Sequence, residues 1–236
     1  MPDTADAPTP VNKPRRRRPS REEKARVTRQ SLLNAGCTVV AADGYAAASI
    51  ARIADQAGVA HGTFYNYFED RQALFDELLP YEGLRMREAI EAVARSVPSG
   101  MEREVARFEA FLNYVIENDG FYRILYESEI FAPRAHATHM ANIVEGYQRS
   151  FRRAMDEGWL LPLEPLQMEC LIYQLLGLRA YSAMQIHYAP DLAARHAIRD
   201  AAVDTYRVLT GENLRGGAAP AVREHRLTAP GEPAGA

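Results

Sequence analysis

Apolar residues recur along this chain at intervals of three and four and nowhere alternate with polar ones over the length of a strand, so the pattern predicts an all-α protein. Ser20 and Glu23 form a Ser-x-x-Glu capping box, in which the hydroxyl accepts a free backbone N–H of the first turn and the carboxylate reaches back. A first helix is predicted over 21–43, closed by Gly44. In "SIARIADQAG" Ile50, Ile53, Ala54 and Ala57 share one face, Ser49 suits the N-cap, and Gly58 suits the left-handed residue just past the end. After a turn at Val59 and Ala60 a third helix is predicted over 61–67, two turns that cannot hold in water without packing. At about 100° per residue Phe64 and Phe68 fall together, Gly62 and Asn66 lie opposite, and Thr63, Tyr65 and Tyr67 flank them. One face anchors and the other is presented.

The helices then lengthen. A fourth is predicted over 71–96, and a second capping box, Ser99 with Glu102, starts a fifth whose buried stripe is Met101, Val105, Phe108, Leu112 and Val115. Asn118-Asp119-Gly120 ends it. A short sixth covers "FYRILYESEI" and stops at Pro133; a seventh runs to Gly158 with Met140, Ile143, Tyr147, Phe151 and Ala154 inward. Pro165 opens an eighth, apolar around most of its girth up to His187, and Pro190 with Asp191 opens a ninth ending near Thr210. Residues 1–19, rich in Pro, Ala and Arg, and 211–236, rich in Gly, Pro and Ala, are expected to be a disordered basic arm and a disordered tail.

Composition changes this picture in one respect. The net charge of −3 hides 11 Lys and Arg against 6 Asp and Glu over residues 13–74, and 17 against 25 elsewhere. A basic first third on an acidic remainder suits one part that meets a polyanion and another that does not. No apolar run reaches the roughly 18 residues of a membrane span, and the first twenty residues lack the apolar centre of a secretory signal, so the expected location is cytoplasmic. Cys37 and Cys170, without CxxC spacing, read as reduced thiols packed in helices. A presented helix with small and hydroxyl-bearing residues beside a basic arm is what a DNA major groove accepts, because such donors fix phosphates and Asn or Thr also reads base edges.

The stretch "GYAAASIARIADQAGVAHGTFYNYFEDRQALF" resembles the DNA-binding domain of the TetR family of transcriptional regulators. The resemblance rests on Gly44-Tyr45, Ile53-Ala54, Ala57-Gly58-Val59, Gly62-Thr63-Phe64-Tyr65, Phe68, and Arg71 with Leu74. It implies a helix-turn-helix DNA-binding domain over 20–80, a helical ligand-binding and dimerisation domain over 81–210, and a homodimer on a palindromic double-stranded DNA operator. The DNA-contacting residues it implies are Arg17, Arg18, Ser49, His61, Gly62, Thr63, Tyr65, Asn66, Tyr67 and Arg71. His61 either reads a base edge or lines the groove; the "KPRRRRPS" arm is either a solvated tail or a minor-groove contact. Ala48 stands where the family often has a capping Thr, leaving both cap and phosphate contact to Ser49. Tyr67 and Arg71 stand where His and Lys are frequent, each keeping a phosphate donor, and Gly36 replaces a usual Ala mid-helix, which costs about 1 kcal/mol unless close packing offsets it.

The resemblance also places an unknown small-molecule effector among the fourth to eighth helices, with Phe108, Phe111, Tyr122, Tyr126, Glu129, His139, Tyr147, Tyr173 and Gln174 as candidate pocket residues. The last two helices resemble the family's dimerisation pair; the alternative is that the eighth is simply a core helix. No enzyme signature is present: His136 and His139 are an i, i+3 pair, but no His-Glu-x-x-His, Gly-x-Ser-x-Gly or phosphate-loop pattern accompanies them, and no cofactor or metal is expected. The function expected is a repressor released from its operator by a ligand; a ligand-independent architectural DNA-binding protein of the same fold is the alternative.

Overall fold

The computed structural model describes residues 20–98 and 100–211. Among them every regular element is a helix: α1 (Arg21–Ala47), α2 (Ile50–Ala57), α3 (His61–Phe64), α4 (Arg71–Ala94), α5 (Met101–Glu117), α6 (Phe121–Tyr126), α7 (Ser128–Phe131), α8 (Pro133–Asp156), α9 (Pro165–His187) and α10 (Leu192–Gly211). The fold is all-α. The basic arm with Arg17 and Arg18, Ser99 of the expected capping box, and residues 212–236 of the expected tail lie outside the described residues.

Capping chemistry sets the starts of α1, α2 and α4. Ser20 Oγ accepts the Glu23 N–H at 3.1 Å, Ser49 Oγ accepts that of Arg52 at 3.3 Å, and Asp70 Oδ1 accepts that of Ala73 at 2.7 Å. The last of these was not foreseen. At Gly44 the helix breaks as expected, through left-handed backbone at φ 79° that a side chain would strain, but one more turn follows to Ala47. Gly36 is required for another reason: a Cβ there would sit 2.9 Å from Leu74 Cδ2 and Leu78 Cδ2, so α1 and α4 touch at this point and the close packing offsets the propensity cost.

The expected sixth helix is two helices, α6 and α7, and Pro133 opens α8 as its first residue, where a fixed φ and a missing N–H cost nothing. On α8, Tyr147, Phe151 and Ala154 are buried as expected, whereas Met140 and Ile143 are half-buried, Ile143 at a cavity edge. α9 buries Met168, Ile172, Leu175, Ala183 and Ile186 on one side only; Leu166, Tyr173 and Tyr181 remain exposed on the other. Cys37 is buried and its thiol is pushed up to about 12 by burial, while Cys170, contrary to the packed thiol expected, lies exposed on the open side of α9.

One core runs through the molecule. Its head end packs Leu32, Val40, Tyr45, Ile53, Phe64, Leu74 and Leu78 from α1 to α4, all fully buried. α4 carries on past Pro80 into the body, where it packs on α5 and α8, and α9 and α10 close the bundle against α5. A polar seam ties α1 to α6 and α7. The Tyr45 N–H donates to Glu127 Oε2 at 3.0 Å and its hydroxyl to the Ile124 carbonyl at 3.2 Å; Arg123 donates to the Ala42 carbonyl at 2.8 Å. Deeper in, Glu82 on α4 is buried, accepts the Tyr114 hydroxyl at 2.5 Å and faces Arg85 at 3.0 Å.

Candidate nucleic-acid interface

The third helix is shorter than its sequence suggested. After the four residues of α3 the backbone tightens: the Asn66 N–H donates to the Thr63 carbonyl at 3.2 Å and that of Tyr67 to Phe64 at 3.0 Å, turns that carry the chain to Phe68. So brief a segment is held by what lies behind it. Phe64 is fully buried and Phe68 nearly so, their ring centroids are 5.5 Å apart, and the Arg29 guanidinium covers Phe68 at 4.9 Å while pairing with Glu77. The clamp is thus built from α1, α3 and α4 together.

The opposite side is open. His61, Gly62, Tyr65 and Asn66 are exposed, and Thr63 and Tyr67 half-buried. Nothing lies within 4 Å of the position a Cβ on Gly62 would take, so the bare surface there serves no packing inside the chain. His61 and Tyr65, four residues apart, lean edge to face with centroids at 5.6 Å. Ser49 is half-buried beside this surface with its hydroxyl engaged in the cap of α2. Arg71 is exposed but drawn back, since Nη1 donates to the Ala48 carbonyl at 3.4 Å and the guanidinium lies over the Phe75 ring at 5.3 Å. α3 packs on α2, and Arg71 reaches the Ala48 carbonyl next to Ser49, so Ser49, His61, Gly62, Thr63, Tyr65, Asn66, Tyr67 and Arg71 all belong to the head built from α1 to α4. Arg52, not anticipated, braces α2 by pairing with Asp43 and donating to the Ala47 carbonyl at 3.4 Å.

A second candidate site lies in the body. A cavity of about 640 Å³ opens between α4, α5, α8 and α9, within the size range of small-molecule pockets. Of the nine expected pocket residues the structure brings two, His139 and Tyr147, to its wall. The other seven fall elsewhere. Phe108 is buried against Tyr206, with centroids at 4.6 Å, and Phe111 lies behind the Arg179 guanidinium at 5.2 Å. Tyr122 stacks on His187 at 4.4 Å and meets Tyr126 at a tilt, with centroids at 4.6 Å, in a separate cluster. Glu129 is exposed on α7; Tyr173 and Gln174 point outward because Ile172 and Leu175 take the inner face, roughly 130° away around the helix. The aromatic count along the sequence marked core, not cavity.

Two expected residues and one that was not expected, Arg179, carry the cavity's polarity. His139 Nε2, Tyr147 Oη and Arg179 Nε are buried without a hydrogen-bond partner. Burial, with His136 and Arg87 nearby, pushes His139 down to about 4, so near neutral pH it offers a hydrogen bond and no charge. Burial likewise raises the Tyr147 hydroxyl, keeping it protonated. Arg179 had a signal in the sequence, as the one charged side chain between Cys170 and His187 in an otherwise apolar helix. Among the described residues no group of three His, Cys, Asp or Glu is placed to hold a metal ion, and no helix is long and apolar enough to cross a membrane.

Comparison with known proteins gives this geometry a context. Residues 32–78 match the model for bacterial regulatory proteins of the tetR family. The chain is 30% identical over 98 residues to the transposon Tn10 TetC protein of Escherichia coli, a match spanning 42% of this chain and 49% of that protein. It is 28% identical over 101 residues to the HTH-type transcriptional activator FasR of Mycolicibacterium smegmatis, spanning 43% and 46%. The chain thus matches about half the length of these curated relatives. Among solved structures, a TetR-family transcriptional regulator from Pectobacterium atrosepticum superposes with a TM-score of 0.63 at 23% identity, over 83% of this chain and 97% of that one, which establishes the shared fold.

Proposed function

From a chain that belongs to the tetR family of bacterial regulatory proteins, we propose a DNA-binding transcriptional regulator, a repressor released from its operator by a small-molecule effector. The observation that carries this reading is the outward face of α3 and the turn that follows it: exposed His61, Gly62, Tyr65 and Asn66 over two buried phenylalanines. A segment anchored this way is presented rigidly, and a surface without bulk at Gly62 lets backbone approach a groove wall. Tyr65, Tyr67 and Ser49 contact phosphates, Thr63 and Asn66 reach base edges, and Arg71 adds a phosphate contact when it leaves the Ala48 carbonyl. His61 sits where either contact is within reach. On the arm, Arg17 and Arg18 contribute salt-dependent attraction.

Two heads are needed to read a palindrome, and α9 leaves Leu166, Tyr173 and Tyr181 exposed on one side, while α10, packed against it, exposes Leu192 and Leu209. We assign this surface to a second copy of the chain, forming a four-helix interface. Sedimentation at micromolar concentration should give a dimer; a monomer removes the assignment. The effector acts by favouring a body shape that sets the two α3 segments at the wrong spacing, with a coupling of about 1–3 kcal/mol that DNA must return by weakening the effector equally. A bound dimer obstructs a promoter with no further contact, which favours repression, although the FasR relative is an activator.

Selection from a random DNA pool should return one palindrome. Against it, a Tyr65→Ala/Asn66→Ala double variant should bind at least about tenfold more weakly with unchanged stability. Equal binding would remove α3 from the interface. Many unrelated sites bound equally would instead favour the ligand-independent architectural reading.

A further inference from the structure

The body cavity has a charge pattern that narrows what it takes. Five arginines and two glutamates line it. Arg107 is consumed inside the wall, paired with both Glu91 and Glu104, while Ser150 Oγ lies 2.9 Å from Glu104 Oε1; Arg149 pairs with Glu145. Both acidic groups are therefore engaged by Arg107, and Arg87, Arg153 and Arg179 remain without an ion pair among the described residues, which leaves the lining net positive. Arg179 is the informative one. Its guanidinium lies 5.2 Å from the ring centroids of both Phe111 and Tyr147, and its Nε is buried without an acceptor. A guanidinium packed against aromatic faces loses water that only an anion replaces well, and its planar fork matches a carboxylate or phosphate edge. The hydroxyl of Tyr147, a residue 7% exposed, is a second donor on the same wall and has no partner. The apolar part of the lining is Leu84, Met86 and Ile90 of α4 with Ile143 of α8, while Thr138, Asn142 and Ser150 make most of the remaining α8 wall polar.

We propose that this cavity binds an amphipathic organic anion, its acidic head on Arg179 and the Tyr147 hydroxyl and its hydrocarbon part along Leu84, Met86 and Ile90 of α4 and Ile143 of α8. The inference rests on the effector-responsive reading above for its regulatory meaning, but the binding itself is measured without DNA. Neutral His139 adds a hydrogen-bonding nitrogen and leaves the positive balance to the arginines.

The test is calorimetric titration of the full chain, below micelle-forming concentrations, with four probes sharing one tail: decanoate, decyl phosphate, 1-decanol and decylamine. The two acids should bind at least about tenfold more tightly than the alcohol and the amine, and their relative affinity distinguishes a carboxylate from a phosphoester head. Arg179→Gln should erase that preference while leaving the affinity for 1-decanol unchanged, and Tyr147→Phe should reduce it by a smaller factor. Because the comparison of probes on the parent needs no variant, a misfolded Arg179→Gln leaves the inference exposed to refutation. Alcohol or amine binding as tightly as both acids, acid preference surviving in folded Arg179→Gln, or no acid bound at millimolar concentration would each overturn it. Operator binding by the unliganded chain, measured separately, shows whether the regulator reading stands or falls independently.

Discussion

Phe64→Ala is expected to lower the unfolding free energy by about 3–5 kcal/mol and to abolish operator binding. The ring is fully buried, meets Phe68 at 5.5 Å, and belongs to the one buried residue of α3. Removing it leaves a void between α1, α2 and α4 that the remaining large side chains, already packed, fill only in part. Four helical residues have no stability of their own, so α3 loses its seat together with its side chain. Chemical denaturation reads the first effect and operator titration the second. Tyr65→Ala separates the two: Tyr65 is 52% exposed, so stability should stay within about 0.5 kcal/mol of the parent while DNA binding falls. If Phe64→Ala unfolds within 1 kcal/mol of the parent, the anchor has been misplaced.

Acid should destabilise this protein through His139. Folded, the imidazole is held down to about 4 by burial; unfolded, it returns to its ordinary value near 6.5. Between those values the unfolded chain binds the extra proton, so stability rises with pH through this window and is lost as pH falls from about 6.5 toward 4. The full effect is on the order of 3 kcal/mol. His187, also lowered by burial, acts in the same sense, so the measurement is a difference: unfolding free energy against pH for the parent and for His139→Gln. The variant should show a flatter profile over pH 4–6.5. Parallel profiles would mean that His139 protonates in the folded state at no cost.

What the sequence disclosed and what it withheld divide along physical lines. Local signals were legible: Ser20 and Ser49 as caps, Gly44 as the break in α1, Pro165 as the start of α9, and the anchoring pair Phe64 and Phe68. Each of these depends on neighbours within about one helical turn. Asp70 is also local: an Asp three residues before the N–H it accepts is an N-cap signal of the same kind as Ser20 and Ser49. The contacts that join distant segments had no such signature. Nothing near Glu127 announces that its carboxylate accepts the N–H of a residue 82 positions earlier. The cavity was misread for the same reason, because aromatic side chains at helical spacing fill cores, and only tertiary packing decides which few border empty space. Arg179 stood out as a lone charge in an apolar helix, a better pointer to a polar site than any ring.

The seam at Tyr45 limits how this molecule can be rebuilt. Its ring is wholly enclosed, stacked 5.9 Å from Phe131, and its two polar atoms are satisfied by Glu127 and the Ile124 carbonyl, all from beyond α4. A chimera that grafts residues 20–80 onto a foreign body would discard those acceptors and leave a tyrosine with neither partner nor lid. A working transplant must carry the loop-side acceptors along with the reading head, so the inheritable unit is larger than the segment that touches DNA.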